Sequence, residues 1–202
     1  MKLAMLVPAT LAALLAGAAA GAAPDGAFGS RAHPASDLQW HYDGTRDAVA
    51  VHLKQALGKQ ANPFGPTAGS PPGAVSDDSK LLGDYVPHLL GIPGPEVALD
   101  HGEYFYSGAE AHNASQEAAV ITQGRGGAVV ALAVLHTNYR KQPAVRVLTI
   151  MRPDGKAVDA AMQTLFTGWA RGEIDKGNAL PRSRLVKTVV DKLEVEIVPA
   201  GG

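Results

Sequence analysis

Between Glu96 and Arg152 the chain repeats one device: a short run of β-branched, aromatic or apolar residues, then a brief punctuated stretch, then another run. Val97 to Leu99, Tyr104 to Ser107, Ala118 to Thr122, Ala128 to Leu135 and Ala144 to Arg152 are such runs. Residues of this kind fit a pleated, half-buried surface and read as strands. Connections such as Asp100-His101-Gly102 and Gly124-Arg125-Gly126-Gly127 are far shorter than a parallel crossover requires. Successive strands must therefore turn back on one another in an antiparallel meander.

Such a sheet needs cover, and the sequence supplies it. Val158, Ala161, Met162, Leu165, Phe166 and Trp169 recur at helical spacing, with Asp154-Gly155 as the expected N-cap and Gly172 as the expected stop. From Thr45 to Gly58 a second amphipathic helix carries Val49, Leu53, Ala56 and Leu57 on one stripe, with Val51 off it and His52 on the apolar side as a core or boundary histidine. Asp77-Asp78-Ser79 opens a short helix bearing Leu81, Leu82, Tyr85 and Val86, which Pro87 ends or kinks; Gly91 to Pro95 closes that segment. A last strand, Leu185 to Val198, alternates Leu193, Val195 and Ile197 with Lys192, Glu194 and Glu196. The fold class expected is α+β: an antiparallel β-sheet of about five or six strands with helices packed on one face.

At the N-terminus, Lys2, an apolar run from Leu3 to Ala16 and a small-residue end at Ala18 to Ala23 have the form of a secretory signal peptide. Residues 1–22 are read as that signal, 23–39 as a mobile leader rich in Ala, Gly, Ser and Pro, and 40–198 as a single domain. Cleavage would leave a periplasmic or secreted protein with no further apolar stretch able to span a bilayer. The absence of cysteine means that packing, not disulfides, must hold it. A net charge of −1, with Lys and Arg scattered along the chain, argues against a nucleic-acid-binding surface. Asn62 to Val75 is dense in proline and glycine and reads as a long surface loop.

Gly108 to Gln116 is small and polar between two apolar runs, with one imidazole, His112, at its centre. A long polar connection between adjacent strands is expected to project into solvent, where binding residues commonly sit on a rigid scaffold. The stretch Tyr106-Ser107-Gly108, then Ala109-Glu110-Ala111-His112-Asn113-Ala114, then Ser115-Gln116 and a strand, resembles the inhibitory loop of the Ivy family, periplasmic inhibitors of vertebrate C-type lysozyme. That loop has the pattern Cys-x-x-His-x-Cys; the histidine is in register, both cysteine positions are alanine (Ala109, Ala114), and the proline before the histidine is Ala111. A thinner likeness runs in the same order from Pro95 to Trp169, including Asp154-Gly155-Lys156 and Leu165-Phe166-Thr167-Gly168.

The resemblance implies a partner rather than a substrate: C-type lysozyme or another peptidoglycan-cleaving enzyme. His112 would enter the cleft between its two catalytic carboxyl groups, with Asn113 and Glu110 at the rim and Ala109, Ala111 and Ala114 completing the loop. Without the loop disulfide, ordering the loop during binding should weaken inhibition, at about 0.5–1.5 kcal/mol per immobilised rotamer-rich side chain. The family includes dimers, so a homodimer is among the implied assemblies. The resemblance implies no catalytic residue, cofactor or metal in this chain.

The competing classes are a cell-envelope hydrolase with a weak Ser/His/Asp site and a non-inhibitory envelope binding protein of the same fold. Neither H-E-x-x-H nor G-x-S-x-G occurs, and Gly124 to Gly127 lies between two strands rather than opening a helix. Asp100-His101 and His136 meeting near Ser107 would be the remaining Ser/His/Asp arrangement.

Overall fold

The strand-like runs pair as the short connections demand. A computed structural model describes residues 39–64, 80–110, 113–141, 145–179 and 192–198, with backbone alone at 113–115. Its six-stranded sheet is ordered β1 (Ile92–Ala98), β2 (Glu103–Glu110), β3 (Asn113–Gln123), β4 (Ala128–Asn138), β5 (Val145–Met151) and β6 (Leu193–Val198). Helices α1 (Gln39–Tyr42), α2 (Thr45–Leu57) and α3 (Leu82–Leu89) precede the sheet, and α4 (Ala160–Ala179) lies between β5 and β6. The α+β class stands. Residues 1–38, most of the Pro/Gly-rich segment and the first part of the expected last strand lie outside the described residues.

Strands β1 to β5 form the antiparallel meander, but β6 runs parallel to β5, with Arg146 opposite Leu193 and Met151 opposite Val198. A parallel neighbour needs a long return path, and α4 with its flanks provides it. The sheet is therefore mixed at one edge. At the other edge β1 begins earlier than expected, at Ile92, and carries Pro93 and Pro95 with a register shift before Glu96. Proline cannot donate to a ladder but is tolerated on an edge strand or at a bulge.

The helices do not share one face of the sheet. Tyr106, Val120, Leu132 and Val134 pack with Trp40, Val49, Leu53, Leu57, Leu82, Tyr85 and Leu89 from α1 to α3. Their strand neighbours Phe105, Ile121, Ala131 and Ala133 pack instead with Phe166, Trp169 and Ala170 from α4. Because alternate residues of a strand point to opposite faces, the two clusters lie on the two sides of the sheet. All seven residues of β5 are buried as a result.

Local chemistry explains the helix ends. The Asp159 carboxylate, not Asp154, accepts the Met162 backbone N–H at 2.8 Å and starts α4. Asp154 is held by Arg152 and accepts from the Lys156 backbone N–H at 3.1 Å. Nor does Gly172 stop the helix: it is buried, and Ile174 beyond it packs against the α4-side core. That burial outweighs the roughly 1 kcal/mol by which glycine disfavours a helix interior. Helix α2 follows its predicted stripe, with Val49, Leu53 and Leu57 buried and Val51 exposed. Around its start, Arg125 of the β3–β4 turn pairs with Asp43 at 2.8 Å and with Glu96 of β1. Trp40 donates its indole N–H to the Gly94 carbonyl at 3.0 Å, fastening α1 to the same edge.

Candidate functional site

The stretch expected to be a long loop is mostly strand. β2 runs on to Glu110 and β3 begins at Asn113, the two residues facing each other as a pair, so the connection shrinks to Ala111-His112. Its polarity misled because a ladder uses backbone groups, which every non-proline residue carries. Gly108, which reads as a loop residue, is a packing residue. A Cβ there would lie 2.8 Å from both the Ile92 carbonyl oxygen and the Leu90 Cα, so only glycine lets β2 slide beneath the α3–β1 corner. The extra residues on the β3 side are absorbed by a register shift: Ala109 faces Glu117, and the next pair is Glu110 with Asn113.

Of the expected site residues, Ala109 is half-buried on β2, opposite Ile92 of β1. Glu110 is fully buried, not a rim residue. Ala111 and His112 lie outside the described residues, and Asn113 and Ala114 are placed by backbone alone in β3. Glu110 is in the inward-facing register of β2 shared with Tyr106 and Gly108, toward α3, where His88 Nε2 stands 3.3 Å from its Oε1. Burying a carboxylate away from water is costly unless it is paired, so this contact helps decide where the end of β2 can sit.

Three further polar groups line the α3 side at the same end of the sheet. The Tyr85 hydroxyl, fully buried, donates to Oε1 of Gln116 on β3. His136 of β4 lies 3.3 Å from the Thr149 hydroxyl and 4.9 Å, ring to ring, from Phe64. Burial, reinforced by the Arg146 charge, pushes its imidazole down to about 4, so it is neutral near neutral pH. On the α4 side, Glu117 of β3 and Arg146 of β5 form a buried ion pair at 3.4 Å, with Arg146 also 3.4 Å from the Thr137 hydroxyl. Burial outweighs the nearby guanidinium and pushes Glu117 up to about 7. The second oxygen of Glu117 has no hydrogen-bond partner among the described residues.

Sequence reasoning missed His88, Tyr85, Gln116, Glu117 and Arg146. No local motif marks them, because each acquires its neighbour from another element. A cue existed for one of them: Arg146 interrupts the apolar run Val145 to Met151, and a charge inside a run buried on both faces must find a partner. The Ser/His/Asp arrangement does not assemble. Ser107 is buried in the β2 register of Phe105, on the α4 side, His136 is on the α3 side two strands away, and His101 is exposed in the turn at the opposite end of β2. Among the described residues no three His, Asp or Glu side chains converge as metal ligands do. No described helix is long and apolar enough to cross a membrane. No family model, curated protein or solved structure matches the chain.

Proposed function

We propose that this is an exported inhibitor-like protein that binds a lysozyme, or a related peptidoglycan-cleaving enzyme, by placing His112 in its active-site cleft. The observation that carries this reading is the pairing of Glu110 with Asn113, which leaves Ala111-His112 as the two-residue connection of a β-hairpin. Strands β2 and β3 thus supply the scaffold that carries His112. The likeness of Ser107 to Gln116 to the Ivy loop gives the partner class.

The chemistry of such a partner explains why an imidazole serves. Glycosidases of this type carry one protonated carboxylic acid in an apolar pocket and one ionised carboxylate facing it. An imidazole donates to the carboxylate from one nitrogen and meets the acid with the other, occupying the place of the scissile sugar. Export through residues 1–22 would bring the protein to the compartment where cell-wall lytic enzymes act.

Titration of the mature chain against C-type lysozyme, and against lytic transglycosylases in parallel, tests the proposal. His112→Ala should weaken inhibition at least tenfold, about 1.4 kcal/mol. Equal inhibition by both proteins would remove the plug role. No inhibition of any enzyme in the panel by the wild-type chain would remove the reading altogether.

A further inference from the structure

Tyr85 and His88 are three residues apart on α3, and side chains at that spacing share one face of a helix. Each reaches a different leg of the β2–β3 hairpin: Tyr85 hydrogen-bonds Gln116 on β3, and His88 Nε2 lies 3.3 Å from Glu110 on β2. Between these two contacts the Leu90–Ile92 corner presses on Gly108 with no room for a Cβ. The polar partners on the strands are buried, Glu110 completely and Gln116 to within 4 %. Separating either from α3 would give up a contact made by a buried polar group, so both contacts favour one position of the hairpin over neighbouring ones.

We propose that α3 is a clamp, with Tyr85 and His88 as positioning residues that fix the two legs of the hairpin before a partner arrives. The register shift explains why two contacts are needed. Between the Ala109–Glu117 and Glu110–Asn113 pairs the ladder is interrupted, so it holds the ends of β2 and β3 less firmly than an unbroken ladder would. A grip on Glu110, past the shift on one leg, and on Gln116, inside it on the other, restores that hold. The hairpin's use as a plug rests on the function proposed above, whereas the clamp itself rests on these contacts alone.

The test compares the full mature chain with Tyr85→Phe, His88→Ala, His88→Gln and the double variant Tyr85→Phe/His88→Ala. Three quantities are read: amide hydrogen exchange of the 111–116 segment, the thermal midpoint, and the inhibition constant for C-type lysozyme. Tyr85→Phe and His88→Ala should each speed exchange of that segment severalfold, and the double variant more than tenfold, at temperatures well below the midpoint of each variant. His88→Gln, which keeps an N–H donor at similar reach, should recover most of the protection that His88→Ala loses.

Inhibition should weaken in parallel with lost protection, a change that a role confined to global stability would not produce well below the midpoint. Unchanged exchange in the double variant would overturn the clamp, and would leave the plug standing if His112→Ala alone abolished inhibition. Faster exchange in a protein that inhibits nothing would uphold the clamp and overturn the plug. Both Tyr85→Phe and His88→Ala remove few atoms, the second from a half-exposed side chain, so the comparison does not depend on tolerance of a change at Glu110.

Discussion

Glu117 and His136 stand on neighbouring strands and opposite faces of the sheet, and burial moves them in opposite senses. Glu117 titrates near 7 when folded against an ordinary 4.5, so between those values the folded chain holds more protons than the unfolded one. Its contribution is fully present below about pH 4.5 and is lost as pH rises through about 7. His136 titrates near 4 against an ordinary 6.5, so the folded chain holds fewer protons, and its contribution is lost as pH falls through about 4. Over the shared window the two slopes oppose each other. We expect wild-type stability, measured by urea unfolding at stepped pH, to change little between about pH 4.5 and 6.5. Glu117→Gln should become less stable on acidification across that window, and His136→Gln should become less stable as pH rises from about 4.5 to 7. The same slope in both variants would show that these groups do not govern the profile. Neither shift was legible in the sequence, because each arises chiefly from burial beneath other elements, which the Arg146 charge opposes at Glu117 and reinforces at His136.

The hairpin shows where sequence reasoning succeeds and where it stops at the scale of an element. The apolar flanks Tyr104 to Tyr106 and Ala118 to Ile121 announce their strands through β-propensity, and both are strands. Gly108 to Glu110 announced nothing, because what makes them strand is the backbone of the α3–β1 corner lying against them. Replacing Gly108 by alanine puts a methyl group 2.8 Å from two backbone atoms, neither of which is the end of a flexible side chain. Overpacking of this kind costs about 1–3 kcal/mol. Gly108→Ala should lower the urea midpoint accordingly, whereas alanine at Gly124, where no atom lies within 4 Å, should act through backbone strain alone at its φ of 76°. The end of α4 misled for the same reason. The expected cap was Asp154, but the helix begins at Ala160 and Asp159 takes the capping position. Asp159→Ala should cost about 1 kcal/mol and Asp154→Ala distinctly less, read as a difference in unfolding midpoints.

At the scale of the molecule, the sheet is covered on both faces, and the sequence did carry a sign of it. A strand wet on one side alternates in sequence, as β6 does with Glu194 and Glu196, although Val195 and Ile197 of that edge strand are exposed too; Ala118 to Ile121, Ala131 to Leu135 and Val147 to Met151 are instead nearly continuous apolar or small runs. Such runs belong to strands buried on both faces. The meander expectation obscured this, since an antiparallel sheet commonly leaves one face to water. The consequence is that two half-cores, one under α2 and α3 and one under α4, share a single sheet as their common wall. Because neither half-core exists without that wall, they should melt in one transition. Leu53→Ala on the first side should cost about 2–5 kcal/mol, and Ile150→Val on the second about 0.5–1.5 kcal/mol. Each should shift the same urea transition without altering its slope. Since Leu53 and Ile150 belong to separate clusters on opposite sides of the sheet, their effects should add to within about 0.5 kcal/mol in the double variant. Two separable transitions, one moved by each substitution, would mean instead that the α4 side unfolds on its own, and would make the face opposite the hairpin clamp an independent unit.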